Sequence, residues 1–167
     1  EASVLATNFL REAPSQGGIR SEGKTRKHQA ITSFATDKRN PRLVFFSSTE
    51  VEYLIDHFPL ASPFRNQYSA VIALSGACRR LGWDLVIRVH PNVSNTAPGE
   101  RKRWNRELAR DIQTGEVLVS SSGADSYELL KHADVVAVWH STIAVEAVFR
   151  GIPTICLNET PYERTAA

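Results

Sequence analysis

The chain has 167 residues, 42% of them hydrophobic and 23% charged, with a formal net charge of +2. That length suits one domain with a real core, and the composition is that of an ordinary folded protein rather than a disordered or fibrous one. The small net charge argues against a nucleic-acid partner and allows at most peripheral membrane contact. No apolar run approaches the length of a membrane span.

Residues Glu1 to Pro41 are rich in Ser, Gly, Thr, Lys and Arg and poor in apolar runs. Pro14 to Gly18 breaks any early helix, and Lys24 to His28 is a small basic run. Such a run can contact an anionic ligand or a neighbouring domain, but composition favours a solvated linker. Residues 1–41 are therefore read as linker and 42–167 as the folded domain. The chain opens without methionine and contains none, so a piece of a longer protein is expected. Cys78 and Cys156 fall in core-like positions without metal or disulfide spacing, which leads us to expect reduced thiols and a cytoplasmic setting.

From Arg42 onward, strand and helix signals alternate. Leu43-Val-Phe-Phe46 is a short apolar strand. Asn66 to Leu81 has Tyr68, Val71, Ile72, Leu74, Cys78 and Leu81 at helical spacing, with Gly82 as its stop. Asp84 to Val89 is a second strand, ending at His90-Pro91. Trp104, Leu108 and Ile112 mark one face of a further helix, and Glu116 to Val119 is a third strand. Asp125 with Glu128 three residues on resembles a capping box for a short helix through Lys131.

The stretch Ala133 to Asn158 reads strand, tight turn, buried helix, strand. Asp134 to Trp139 is a strand covered on both faces. Ser141 or Thr142 then caps a helix of Ile143, Ala144, Val145, Ala147, Val148 and Phe149, apolar almost all round and so expected to be buried. Gly151 and Pro153 end it, and Thr154 to Leu157 is the fifth strand. Glu146 is the only charge in that helix. One reading has Ser141 merely capping and Glu146 paired with an arginine. The other has a helix start with two hydroxyls receiving a phosphate, and Glu146 receiving a ligand hydroxyl.

Five alternating strands imply right-handed crossovers and a doubly wound, five-stranded parallel α/β sheet, expected order 3-2-1-4-5. The winding would reverse between the first and fourth strands, and ligands bind outside the carboxyl ends of strands at such a point. Ser47, Ser48 and Glu50, then His90, then His140, Ser141 and Thr142 would gather on that rim, with Glu146 just inside. There is no G-x-x-x-x-G-K-[ST] loop, G-x-G-x-x-G turn, G-x-S-x-G elbow or zinc-ligand spacing. Helix starts, hydroxyls and imidazoles would hold any phosphate, with no metal and no cofactor.

The segments FFSSTEVEY at Phe45 to Tyr53, RVHPN at Arg88 to Asn92 and ADVVAVWHSTIAVEAVFRGIPTICL at Ala133 to Leu157 resemble bacterial capsule and lipopolysaccharide polysaccharide-synthesis proteins. These are similar to GT-B glycosyltransferases, which pair two Rossmann-like domains. The resemblance runs from about Leu43 onward and falls in the carboxyl-terminal, nucleotide-sugar-binding half. It implies that His90 with Ser141 and Thr142 binds the donor phosphate, and that Glu146 meets a ribose or donor-sugar hydroxyl. Ser47, Ser48 and Glu50 would line the interdomain cleft. It further implies a glycan acceptor, a missing amino-terminal Rossmann-like domain, and work at the cytoplasmic face of the inner membrane. The general base of such enzymes comes from the missing half, so no catalytic residue is assigned. Two other classes remain open: a nucleotide-sugar epimerase-like enzyme, with Glu50 and Glu52 as its cleft carboxylates, and a non-catalytic nucleotide- or glycan-binding module.

Overall fold

The computed structural model describes residues 40–49, 62–90, 93, 99–100, 102–104, 106, 118–120 and 125–160. The linker reading of 1–41, the Glu50 and Glu52 readings, and most of the segment between His90 and Asp125 lie outside the described residues. The strands are Arg42–Phe46 (β1), Asp84–Arg88 (β2), Leu118–Ser120 (β3), Val135–Val138 (β4) and Thr154–Cys156 (β5). The helices are Gln67–Leu81 (α1), Ser126–Lys131 (α2) and Ile143–Phe149 (α3).

The expected α/β class with a parallel sheet is present. Four strands form it in the spatial order β2, β1, β4, β5, every neighbouring pair parallel. In register, Val44 lies between Val86 of β2 and Val136 of β4, and Ala137 pairs with Ile155 of β5. Backbone bonding also sets β3 beside β2, Ile87 against Val119.

Both faces of β1 are covered, which explains its unbroken apolar run. Leu43 and Phe45 pack with Tyr68, Val71, Leu74 and Cys78 of α1, and the buried Trp104 joins that layer. Val44 and Phe46 turn to the other face, where Leu129 and Leu130 of α2 and Ile143, Ala144 and Ala147 of α3 meet them. Helices thus lie on opposite faces on either side of the β1–β4 boundary. At the amino-terminal edge, Asp134 Oδ2 accepts from the backbone N–H of Arg42 at 2.7 Å, while the buried Arg42 guanidinium lies 3.7 Å from Asp84.

The local stop and start signals act largely as their chemistry dictates. Asn66 caps α1: its Oδ1 accepts from Ser69 N, and Ser69 Oγ accepts from the backbone N–H of Asn66. Asp125 caps α2 through Tyr127 N at 2.9 Å. Glu128 does not complete the expected capping box, because it turns forward to Lys131 at 2.7 Å and His132 at 3.3 Å. The expected burial of α3 needs a larger correction. Its inner side is buried, but Val145 is 43% and Phe149 49% exposed. A seven-residue helix laid along β4 and β5 meets the sheet with one side only.

Gly82 closes α1 in the left-handed conformation at φ 67, its N–H meeting the carbonyls of Arg79 and Cys78. A Cβ there meets no atom within 4 Å, so strain alone sets the cost of adding one. Gly82→Ala is expected to lower stability by about 1 kcal/mol, measurable as a lower urea midpoint at an unchanged m-value.

Candidate functional site at the carboxyl rim of the sheet

Parallel strands end together, so the residues following β1, β2, β4 and β5 form one rim. Ser47 follows β1, and its N–H donates to Arg88 O at 3.0 Å. Its Oγ accepts from His90 N at 2.8 Å. The Ser47 hydroxyl therefore ties the end of β1 to the end of β2 and positions His90. Ser48 is clamped by the buried Gln67 of α1: Ser48 N donates to Gln67 Oε1 at 3.3 Å, and Gln67 Nε2 donates to Ser48 O at 3.1 Å. The Ser48 hydroxyl is buried and has no hydrogen-bond partner among the described residues. On the other side of β1, Trp139 N donates to Phe46 O at 3.3 Å, which holds His140 at the same level. Ser47, Ser48, His90 and His140 are thus brought together by pairing of β1 with both neighbours. Glu50 lies outside the described residues.

Ser141 and Thr142 follow directly. Thr142 occupies the cap position of α3, yet its backbone is already helical at φ -60, ψ -14 and its side chain makes no capping bond. That corrects the expectation of a hydroxyl cap at this residue. The first turn is held instead by carbonyls, Ala144 N donating to Ser141 O at 3.2 Å and Val145 N to Thr142 O at 3.0 Å. The Thr142 side chain is exposed, so its hydroxyl is presented to whatever occupies the rim.

Glu146 is half-buried one turn further. Tyr127 Oη donates to Glu146 Oε1 at 3.5 Å, and Oε2 is buried without a hydrogen-bond partner among the described residues. Burial pushes the Glu146 carboxyl above its ordinary range, opposed by the Tyr127 bond and the Arg150 charge. Neither contact is an ion pair at bonding distance, and Arg150 lies 5.7 Å over the Tyr127 ring instead. The simple arginine pairing of Glu146 is therefore replaced by a phenol from another helix. Tyr127 is raised in turn, by burial first and then by Glu146. At the end of β2, the buried Arg88 donates to the Val89 carbonyl at 2.5 Å. Burial lowers its pKa, against the pull of Asp125.

Sequence reasoning missed three residues here. Arg88 and Asn158 were visible as strand ends but carried no further signal. Tyr127 carried none, because its role depends on α2 meeting α3. Asn158 follows β5 and is only 3% exposed. Among the described residues, no group of three His, Cys, Asp or Glu is placed to hold a metal, and no helix is long and apolar enough to cross a membrane.

If Glu146 has a raised pKa in the folded chain, its ionised form is disfavoured by folding. The resulting destabilisation is absent below the unfolded pKa, sets in as pH rises past it and is complete above the folded one. Glu146→Gln is expected to raise the melting temperature at pH 7, with the difference vanishing below the ordinary value of 4.5. Parallel thermal melts of both proteins across pH check this.

Comparison with known proteins adds the following. The family model described as "Capsule polysaccharide biosynthesis protein" matches residues 19–165. No curated protein sequence matches. Among solved structures, the chain is similar to a KpsC beta Kdo 2,4 transferase of Thermosulfurimonas dismutans. The TM-score is 0.53 and the identity 14%, over 95% of this chain and 45% of that one. A KpsC beta Kdo 2,7 transferase of the same organism matches with TM-score 0.48 and 19% identity, over 93% of this chain and 46% of the other. The chain therefore spans less than half the length of either solved protein.

Proposed function

We propose that this chain, which belongs to the capsule polysaccharide biosynthesis protein family, is the donor-binding half of a glycosyltransferase that extends a surface polysaccharide from a nucleotide sugar. The observation that carries this reading is the convergence of His90, Ser48, His140, Ser141 and Thr142 on one rim. They converge where strand pairing runs both ways from β1 and the flanking helices change faces. The reading takes the five-strand order 3-2-1-4-5 as that of the whole domain, supported by the pairing of β3 with β2. It places a Rossmann-like partner domain across the rim, supplying the glycan acceptor site and the general base of a GT-B enzyme. Donor binding uses no metal, and the enzyme works in the cytoplasm at the inner face of the membrane. The named activity of the solved transferase is consistent with such chemistry, while its resemblance supports the fold.

In sugar transfer, the bond from the donor's anomeric carbon to a phosphate oxygen breaks, and its electron pair stays on the departing nucleotide. Groups that bind that oxygen more tightly as its charge grows lower the barrier. A helix as short as α3 contributes little dipole, so the task falls to the Ser141 and Thr142 hydroxyls and the His90 imidazole. Each charge-assisted bond contributes about 1.5–3 kcal/mol. Arg88, buried below, adds positive potential. Glu146, with one oxygen unpartnered, accepts from a ribose or donor-sugar hydroxyl.

Replacing both Ser141 and Thr142 by alanine is expected to weaken nucleotide binding about tenfold or more. Calorimetric titration of CMP, UDP and GDP into both proteins tests it; equal affinities would remove the phosphate assignment. The isolated chain is expected to bind nucleotide yet transfer no sugar, and radiolabelled transfer by this chain alone would refute the division of labour.

A further inference from the structure

Ser48 Oγ, Glu146 Oε2 and both amide atoms of Asn158 are buried without a hydrogen-bond partner among the described residues. Leaving a buried donor or acceptor idle costs stability, and native folds rarely accept it without cause. Ser48 and Glu146 already belong to the proposed donor site. Asn158 does not, and its case is the most marked, since its donor and its acceptor are both idle at 3% exposure.

Its position follows from register. Val138 of β4 pairs with Cys156 of β5, and the pairing continues one step beyond, with Leu157 N donating to Val138 O at 3.0 Å. Two residues past the Val138 and Cys156 pair stand His140 and Asn158. Val136, Val138 and Cys156 pack on the face that carries α2 and α3. The three strand ends open on the same rim, where Ser48 follows β1, His140 follows β4 and Asn158 follows β5, each two residues past the last strand residue.

We infer that Asn158 is a further ligand-binding residue of this rim, reading a ligand edge that offers a hydrogen-bond donor and an acceptor side by side. The inference rests on the nucleotide-sugar reading and refines it. The phosphate of a nucleotide sugar carries no P–OH and offers acceptors only, so it engages Nδ2 and leaves Oδ1 idle. A pair of sugar hydroxyls satisfies both atoms, as does the edge of a nucleobase. The amide is covered, so it serves a ligand that displaces its cover rather than bulk water.

The test exploits the cost of an idle amide. Asn158→Leu keeps the shape and removes both polar atoms, so it raises the melting temperature or leaves it unchanged. Affinities of the full chain and the variant are compared for inorganic phosphate, ribose 5-phosphate, and whichever of CMP, UDP and GDP the wild type binds. The expected result is unchanged phosphate binding with a loss of about tenfold for the sugar phosphate and the nucleotide, which assigns sugar hydroxyls. A loss for the nucleotide alone assigns the base edge. Equal affinities for every probe, or an equal loss for phosphate, overturns the inference. Should the variant fail to fold, the side-chain amide resonances of Asn158 in the wild type decide. They shift with nucleotide and not with phosphate, and unmoved signals overturn the inference. A wild type that binds none of the probes instead overturns the nucleotide reading beneath it.

Discussion

Strand β1 has a partner on each edge and helices on both faces, so all five of its residues are buried. Everything proposed for the rim depends on that enclosure. A fully paired central strand has one way to meet a ligand, through the residues that follow it, and here those are Ser47, Ser48 and Thr49, each at most 3% exposed. The backbone groups of Ser47 and Ser48 are spent on β2 and α1. The loop is held still without help from a ligand, and this preorganisation lowers the entropy cost of binding.

The electrostatics of the rim are unsettled in a consistent way. Burial lowers the pKa of Arg88 and raises that of Glu146, so the charged form of each is disfavoured where it stands. In the proposed reading, a nucleotide sugar brings hydroxyl donors to Glu146 and negative charge to the rim. Sites where the fold tolerates desolvated charge and unpartnered polar atoms are where function is to be sought.

The outer side of α3 shows the limits of composition as a guide. Its apolar residues read as a helix enclosed all round, but Val145 and Phe149 face outward. Hydrophobicity tells which residues gain by burial; it does not tell whether the chain supplies a surface to bury them.

The sequence by itself determined the elements and their class. The apolar run Leu43 to Phe46, the helical spacing from Tyr68 to Cys78, the caps at Asn66 and Asp125 and the stop at Gly82 are signals that act within a few residues. They survive folding almost unchanged. It also placed the two histidines and the hydroxyls at strand ends, which in a parallel sheet is enough to gather them. The tertiary structure alone decided what each side chain does there. The Ser47 hydroxyl serves a backbone N–H 43 residues away, and Glu146 meets Tyr127 across 19 residues. Asn158 acquires its idle amide from its burial at the end of β5. These outcomes depend on which elements pack together and at what register, and no local pattern in the chain encodes the partner that arrives.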